Sequence, residues 1–429
     1  MKTTDQLREL IKFARQCSPF YRKHLAAISA SDDSLDNVPV VDPLQYWRES
    51  QRLDQWPVLT GPMASALVFK TGGSTSAGKL SIYEREEWRA FVTDFGQSLN
   101  AQFNPGDRVA NLFFCGDLYA SFLFTHDALR HVDTDITEFP FTGSVDLAAL
   151  AETIPRQRIN VLAGVPAQLL TFASWLSGRG QTLPEVETIL YGGESLFAAQ
   201  RTILRQAFPA ARIASIGYAS VDAGLIGVSH RDCSEGEHRM CDGHSIVEII
   251  DEQTGEVIDT CERIGLLVLT NLTRRLMPVI RYPVGDRACW REPAGTAMRK
   301  FALKGRSASS ERVRVGILSL MPGEIGERVR RDVGSDTWQL VIEQAMHKDV
   351  LTLKWVANHP SPAVAEANRT LEAGLIELYP LIEQLRKDQL LELRILHCTF
   401  EDLPRHPRSG KCLRVLDLRD YQHDAAESA

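Results

Sequence analysis

No run of apolar residues in this chain approaches the ~18 that a membrane-spanning helix needs. The N-terminal segment, where a secretory signal would need an apolar core, is interrupted by Arg8, Glu9, Lys12 and Arg15. An excess of positive charge is also lacking: the formal net charge is -7. That balance argues against a nucleic-acid or anionic-membrane partner, because neither gains from a net acidic surface. The eight cysteines include no Cys-x-x-Cys pair, so reduced thiols in a cytoplasmic protein are expected rather than a disulfide framework. Internal repeats and low-complexity tracts are missing as well. What is present is an ordinary globular composition, 44% hydrophobic and 24% charged, in 429 residues. That length suits two domains.

Leu7, Leu10, Ile11, Ala14 and Cys17 fall at helical spacing, so the chain is expected to open with an amphipathic helix. From about Ala66 to Tyr218, strand-like runs (Ala66–Phe69, Arg108–Phe114, Asn160–Ala163, Thr188–Leu190, Arg212–Ile216) alternate with helical ones (Glu84–Leu99, Ala167–Leu176, Ser195–Phe208). Such alternation predicts α/β units around a mostly parallel sheet. From about 245 to 304 the texture turns β-rich. Beyond Gly305, strand candidates Trp338–Ile342, Leu351–Val356 and Leu391–His397 surround one helix near Ala363–Arg386. The expected fold is α/β, with a large N-terminal domain (1–304) that includes the β-rich part and a small, mobile α+β domain (305–429).

The most informative stretch is Thr71-Gly72-Gly73-Ser74-Thr75-Ser76-Ala77-Gly78-Lys79, between a strand-like and a helical run. Backbone N–H groups and hydroxyls of such a loop can surround a polyphosphate, with Lys79 adding a compact positive charge. It is not a Walker P-loop, because Leu80 stands where a hydroxyl residue is required. Downstream, Tyr191-Gly192-Gly193-Glu194 offers a flat Gly-Gly peptide to a purine face. In Gly217-Tyr218-Ala219-Ser220-Val221-Asp222, Tyr218 suits base stacking and Asp222 suits Mg²⁺. Asp286, in Arg281-Tyr282-Pro283-Val284-Gly285-Asp286, suits a ribose diol. Gly305-Arg306 and Ser409-Gly410-Lys411 follow. Taken singly, Asp286 and Lys411 read as surface turn residues.

In this order, the set resembles the adenylate-forming superfamily of acyl- and aryl-CoA synthetases. It looks most like the phenylacetate–CoA ligase branch, which the opening Cys17-Ser18-Pro19-Phe20-Tyr21-Arg22 and Gly-Gly-Glu-Ser at 192–195 also fit. The resemblance implies that Thr71, Gly73, Ser74, Thr75 and Lys79 form the phosphate loop, while Gly192, Gly193 and Glu194 line the adenine. Tyr218 would stack on that base beside Ala219, Asp222 would take the place of a Mg²⁺-binding Glu, and Asp286 would hold the ribose. Arg306 would contact ribose or phosphate, and Lys411 would bridge the acid carboxylate and the α-phosphate. ATP and Mg²⁺ are the implied cofactors, with CoA or an acyl carrier protein as the acceptor. A homodimer is left open. Departures from the pattern are Gly72, Ser76 and Gly78 in the loop, Val221 for Thr, Asp222 for Glu, and Ser307-Ala308-Ser309 where an acidic hinge is usual. The missing hinge acid leaves adenylation expected and the acceptor open.

His230-x2-Cys233-x4-His238-x2-Cys241 is a compact set of zinc-type ligands. It is read either as a structural Zn²⁺ site or as an ordinary polar loop. Phe113, Phe114, Tyr119, Phe122 and Phe124 surround the pocket implied for the acid and suggest an aromatic substrate; each also reads as plain core. The leading expectation is an ATP-dependent ligase that forms an aryl-AMP and passes the acyl group to a thiol. Transfer to an amine or other nucleophile is one alternative, and a weakly catalytic nucleotide-binding scaffold is another.

Overall fold

The structure is a computed structural model. It describes the chain apart from residues 1, 30–34, 71–78, 117, 194–195, 197, 308–312, 346–347, 358–363, 400–401, 404–413 and 420–429. The chain divides into two compact units. The first comprises 1–71, 77–195 and 203–304, and the second comprises 305–429 with 72–76 and 196–202.

The first unit opens with α1 (Lys2–Cys17), whose Leu7, Leu10, Ile11 and Ala14 form one buried face. Ser18 ends it and caps α2 (Pro19–His24), accepting from the Tyr21 N–H at 3.2 Å, while Pro19 takes the first helical position. The short α3 (Pro43–Trp47) is capped by Asp42 and delivers two buried rings, Tyr46 and Trp47. Strands β1 (Ala66–Lys70) and β2 (Leu80–Glu84) pair antiparallel. The Gly/Ser/Thr segment therefore connects two strands of one ladder; the helix α4 (Arg85–Ser98) follows only after β2.

Five strands, β3 (Asp107–Asn111), β4 (Ile136–Pro140), β5 (Val161–Gly164), β6 (Thr188–Tyr191) and β7 (Arg212–Ser215), form a parallel sheet in the order β4-β3-β5-β6-β7. Helices α5 (Ser121–Leu129), α6 (Leu147–Gln157), α7 (Pro166–Ser177) and α8 (Ala198–Ala207) join successive strands. Val109, Ala110, Val161, Leu162, Ala163, Ile189 and Leu190 are completely buried, the continuous apolar pattern of a sheet covered on both faces. The chain steps from β3 outward to β4, then back across β3 to β5. At such a reversal a crevice opens at the carboxyl ends of the strands.

A hairpin of β8 (Tyr218–Ser220) and β9 (Gly224–Gly227) leads to a second sheet made of β10 (Glu237–Arg239), β11 (Ser245–Ile250), β12 (Gly265–Asn271), β13 (Val279–Trp290) and β14 (Lys300–Arg306). Its order is β10-β14-β13-β12-β11. The β-rich stretch expected from about 245 is this sheet, and its inner face shares a core with α1, α2 and α3.

In the second unit, the hairpin β15 (Val313–Val315) and β16 (Leu318–Leu320) precedes α9 (Pro322–Val333). Then come β17 (Trp338–Ala345), β18 (Lys348–Trp355), α10 (Val364–Leu378), α11 (Leu381–Lys387), β19 (Leu391–His397) and β20 (Val415–Asp417). The sheet order is β19-β18-β17-β20. The single helix expected near 363–386 is two helices, interrupted at Tyr379-Pro380, because Pro380 lacks the N–H that would continue the ladder. Among the described residues no helix is long and apolar enough to cross a membrane.

Candidate functional site

The carboxyl ends of β5, β6 and β7 bring Gly164, Tyr191-Gly192-Gly193 and Ile216-Gly217-Tyr218 to one edge of the parallel sheet. Gly192 is there for want of room. A Cβ at this position would stand 2.6 Å from Ile216 Cγ2 and 3.5 Å from the Phe113 ring. Phe113 is thus pressed against the Gly-Gly peptide, whereas Phe124 packs among Trp88, Phe91 and Phe95 between α4 and α5. Of the aromatic residues read two ways, Phe124 is half-buried within this cluster, while Phe113 is only 4% exposed.

Tyr218, at the start of β8, donates its hydroxyl to Asp286 Oδ2, 68 residues away. Asp286 reaches it from a bulge in β13. Leu266 and Val268 of β12 face Arg287 and Pro283, so four positions of β13 lie opposite two of β12. The excess is carried by Val284-Gly285-Asp286, with Gly285 at φ +87°. Behind Tyr218 lies His238, with ring centroids 5.5 Å apart; Phe301 stands beyond it, and His238 Nε2 is 3.0 Å from Ser215 Oγ. Burial pushes the His238 imidazole down to about 4, so it backs Tyr218 as a neutral ring.

Asp222 sits in the turn between β8 and β9, where three successive carbonyls are held. Ser81 Oγ donates to Val221 O at 2.6 Å, Arg274 Nη1 to Asp222 O at 2.8 Å, and Asn271 Nδ2 to Ala223 O at 2.9 Å. Arg274 is almost wholly buried. It also bonds Ile82 O and stacks 3.7 Å over the Tyr83 ring. The carboxylate itself accepts from the Tyr282 hydroxyl at 3.3 Å. Lys79 Nζ rests 5.3 Å over the Trp47 ring.

Known proteins share this fold. No family model matches the chain. A phenylacetate-coenzyme A ligase of Aromatoleum evansii is 24% identical over 388 residues, covering 87% of this chain and 85% of the relative. An indoleacetate–lysine synthetase of Pseudomonas savastanoi is 28% identical over 193 residues, 43% of each chain. Among solved structures, a 2-hydroxyisobutyryl-CoA ligase in complex with 2-HIB-AMP and CoA aligns at a TM-score of 0.72 and 19% identity, over 97% of this chain and 89% of that one. In sequence and in fold the chain is similar to ligases of the adenylate-forming superfamily. The relatives named are ligases of that class.

Of the superfamily positions expected from sequence, the structure joins Tyr218 to Asp286 and places Asp222 in a clamped turn that follows directly. Gly192, Gly193 and Ala219 lie on the same chain segments. Thr71, Gly73, Ser74, Thr75, Glu194 and Lys411 lie outside the described residues, as does the side chain of Arg306, whose backbone ends β14.

The zinc expectation is corrected. His230, Cys233, His238 and Cys241 are all described, yet among the described residues no group of three or more potential ligands gathers. The reason is the alternation of β10. His238, opposite Phe301 of β14, turns inward behind Tyr218, while Arg239 turns outward to a network with Asp232 and Glu292. Arg239 holds the Asp232 carboxyl down at about 2. Burial, with Asp94 and Asp242 nearby, pushes the Cys241 thiol up to about 11, and burial raises Cys233 as well. Ion pairs among Asp232, Arg239 and Glu292 tie this loop.

Sequence reasoning missed Trp47, Ser81, Arg274 and Asn271. None stands in a motif, and the hydrogen bonds that tie Asn271 to Ala223 and Trp47 to Tyr282 span 48 and 235 positions. Tyr282 stood inside a noted pattern but without a role.

Proposed function

We propose that the chain activates a carboxylic acid, aromatic by the character of Phe113 and its neighbours, as an acyl-AMP. The observation that carries this reading is the joining of Tyr218 to Asp286 beside the clamped Asp222 turn, at the carboxyl edge of the parallel sheet. Adenine would lie along Gly192-Gly193 against Tyr218, and the ribose hydroxyls would donate to Asp286. A carboxylate oxygen of the acid attacks the α-phosphorus, the bond from that phosphorus to the bridging oxygen of the β-phosphate breaks, and pyrophosphate leaves. The protein's task is to position two anions and offset their repulsion.

Asp222 is the residue assigned to Mg²⁺. The donor set fits, since a single carboxylate in a fixed turn, with no cage of further ligands among the described residues, suits a cation that arrives on nucleotide phosphates. When bound, Mg²⁺ neutralises phosphate charge. Lys79 is assigned to the phosphates. Lys411, in the second unit, is assigned to bridge the acid and the α-phosphate, which makes 1–304 the nucleotide-binding domain and 305–429 a mobile domain carrying this lysine.

The acyl group then passes to a nucleophile whose attack on the carbonyl expels AMP. A thiol such as CoA is supported by the ligase relatives, and an amine by the likeness to the indoleacetate–lysine synthetase and by Ser307-Ala308-Ser309 at the hinge. Mass spectrometry of acyl-AMP and pyrophosphate release, over a panel of aryl acids with Mg·ATP alone, with CoA and with lysine, tests both steps. Acyl-AMP with at least one acid is expected. A broad panel without acyl-AMP or pyrophosphate would refute the reading.

A further inference from the structure

Trp47 lies in α3, far from every motif, yet it touches the candidate site twice. Its ring carries Lys79 Nζ at 5.3 Å, and its Nε1 donates to the Tyr282 hydroxyl at 2.8 Å. An indole N–H is a donor only. The Tyr282 oxygen therefore receives that hydrogen, and its own hydrogen is directed to the acceptor on the other side, Asp222 Oδ2 at 3.3 Å. Trp47 cannot turn away, because its ring stacks on Trp56 at 5.3 Å and meets Tyr46 edge-on at 5.2 Å. Tyr282 is set with equal firmness. The preceding residue, Arg281, sits at φ +45° in a one-residue bulge of β13 and forms a bidentate pair with Glu248 at 3.0 and 2.9 Å.

We propose that Tyr282, anchored by Trp47, is a positioning residue that orients the Asp222 carboxylate toward the cation on the nucleotide phosphates. The pair also ties Lys79 and Asp222 to one rigid aromatic platform built by the N-terminal helices. The proposal rests on the assignment of Asp222 made above. A buried tyrosine and tryptophan need hydrogen-bond partners in any fold, so the test must separate orientation of Asp222 from plain packing.

The experiment measures Mn·ATP binding to the full-length protein by electron paramagnetic resonance, in a double-mutant cycle of Tyr282→Phe and Asp222→Asn, with thermal midpoints recorded for each variant. Tyr282→Phe keeps the ring and removes only the hydroxyl. Its Mn·ATP dissociation constant is expected to rise about 5- to 10-fold, with that for ATP without metal within about twofold. In the Asp222→Asn background the same change should have no further effect on Mn·ATP binding, whatever it does to the thermal midpoint. Should Tyr282→Phe not fold, Trp47→Phe carries the test, with an expected rise of about threefold that again vanishes in the Asp222→Asn background. Effects that multiply, or unchanged Mn·ATP binding in the variant that folds, would overturn the proposal. An Asp222→Asn protein that binds Mn·ATP like the wild type would overturn it too. The cycle needs no acid substrate, so it decides the matter even if no acyl-AMP is formed and the adenylation reading fails.

Discussion

His238 shows how one side chain changes meaning once its surroundings are known. As a letter in the sequence it is one of four ligands in a zinc pattern; in the fold it is a buried neutral ring between Tyr218 and Phe301. Its folded pKa, about 4, lies below the ordinary imidazole value of 6.5. The unfolded chain therefore binds more protons between those values, and His238 costs stability as pH falls from 6.5 toward 4. His244 opposes it, since its 2.7 Å pair with Asp94 raises the imidazole and favours the fold until pH rises through that raised value. The thermal midpoint of wild type minus that of His238→Gln is expected to fall between pH 7 and pH 5; a constant difference would show that the ring titrates freely. At the same scale, Asp286→Ala removes a carboxylate that accepts from Tyr218 and, in the proposed function, from both ribose hydroxyls. Such bonds contribute roughly 1.5–3 kcal/mol each, so ATP affinity by calorimetry should drop at least tenfold. An unchanged affinity would remove Asp286 from the nucleotide site.

β13 illustrates what an element does that its residues cannot do singly. Its two irregularities, at Arg281 and at Val284–Asp286, send Tyr282 to Asp222 and Asp286 to Tyr218 from one continuous strand. In a regular strand these two side chains, four residues apart, would also share one face; the bulges instead shift their register against β12 and so change which neighbours they meet. The β8–β9 turn depends in the same way on Arg274, whose guanidinium satisfies Val221, Asp222 and Ile82 carbonyls in the interior. Arg274→Met fills similar space but leaves buried acceptors without partners, at a cost on the order of 3 kcal/mol. The expected result is a thermal midpoint lower by ~5–10 °C, with Mg·ATP affinity falling in variants that fold. A midpoint within about 1 °C of wild type would show that water replaces the guanidinium there.

At the scale of the whole chain, the candidate nucleotide residues and the candidate bridging lysine belong to different compact units. Asp222, Tyr218 and Asp286 precede Lys304, and Lys411 follows Gly305. Each unit has a core of its own, around Tyr46, Trp47 and Ile280 in the first and Leu340, Leu353 and Leu371 in the second. Binding and catalysis should therefore separate. Lys411→Ala is expected to lower acyl-AMP formation ~10²-fold or more, since one preorganised charge at a transition state is worth ~3 kcal/mol, while ATP affinity changes less than about threefold. A variant within a few-fold of wild type would show that Ser409-Gly410-Lys411 resembles the superfamily lysine only by chance.

The sequence by itself determined the class of fold and the order of β1, α4, β3, β5, α7, β6, α8 and β7, but not β2, β4, α5 or α6. Periodicity is local, so β5, β6, β7, α7 and β19 are legible within a residue or two, and the strand ends that precede Gly192 and Tyr218 follow from it. Tertiary structure alone decided who meets whom. The strand after the Gly/Ser/Thr segment, the bulges of β13, the inward turn of His238 and the chain from Trp47 through Tyr282 to Asp222 all depend on pairing or packing between residues distant in sequence. Hydrogen-bond partners 60 and 235 positions apart leave no local pattern; only the register of β12 against β13 and the docking of α3 bring them within reach.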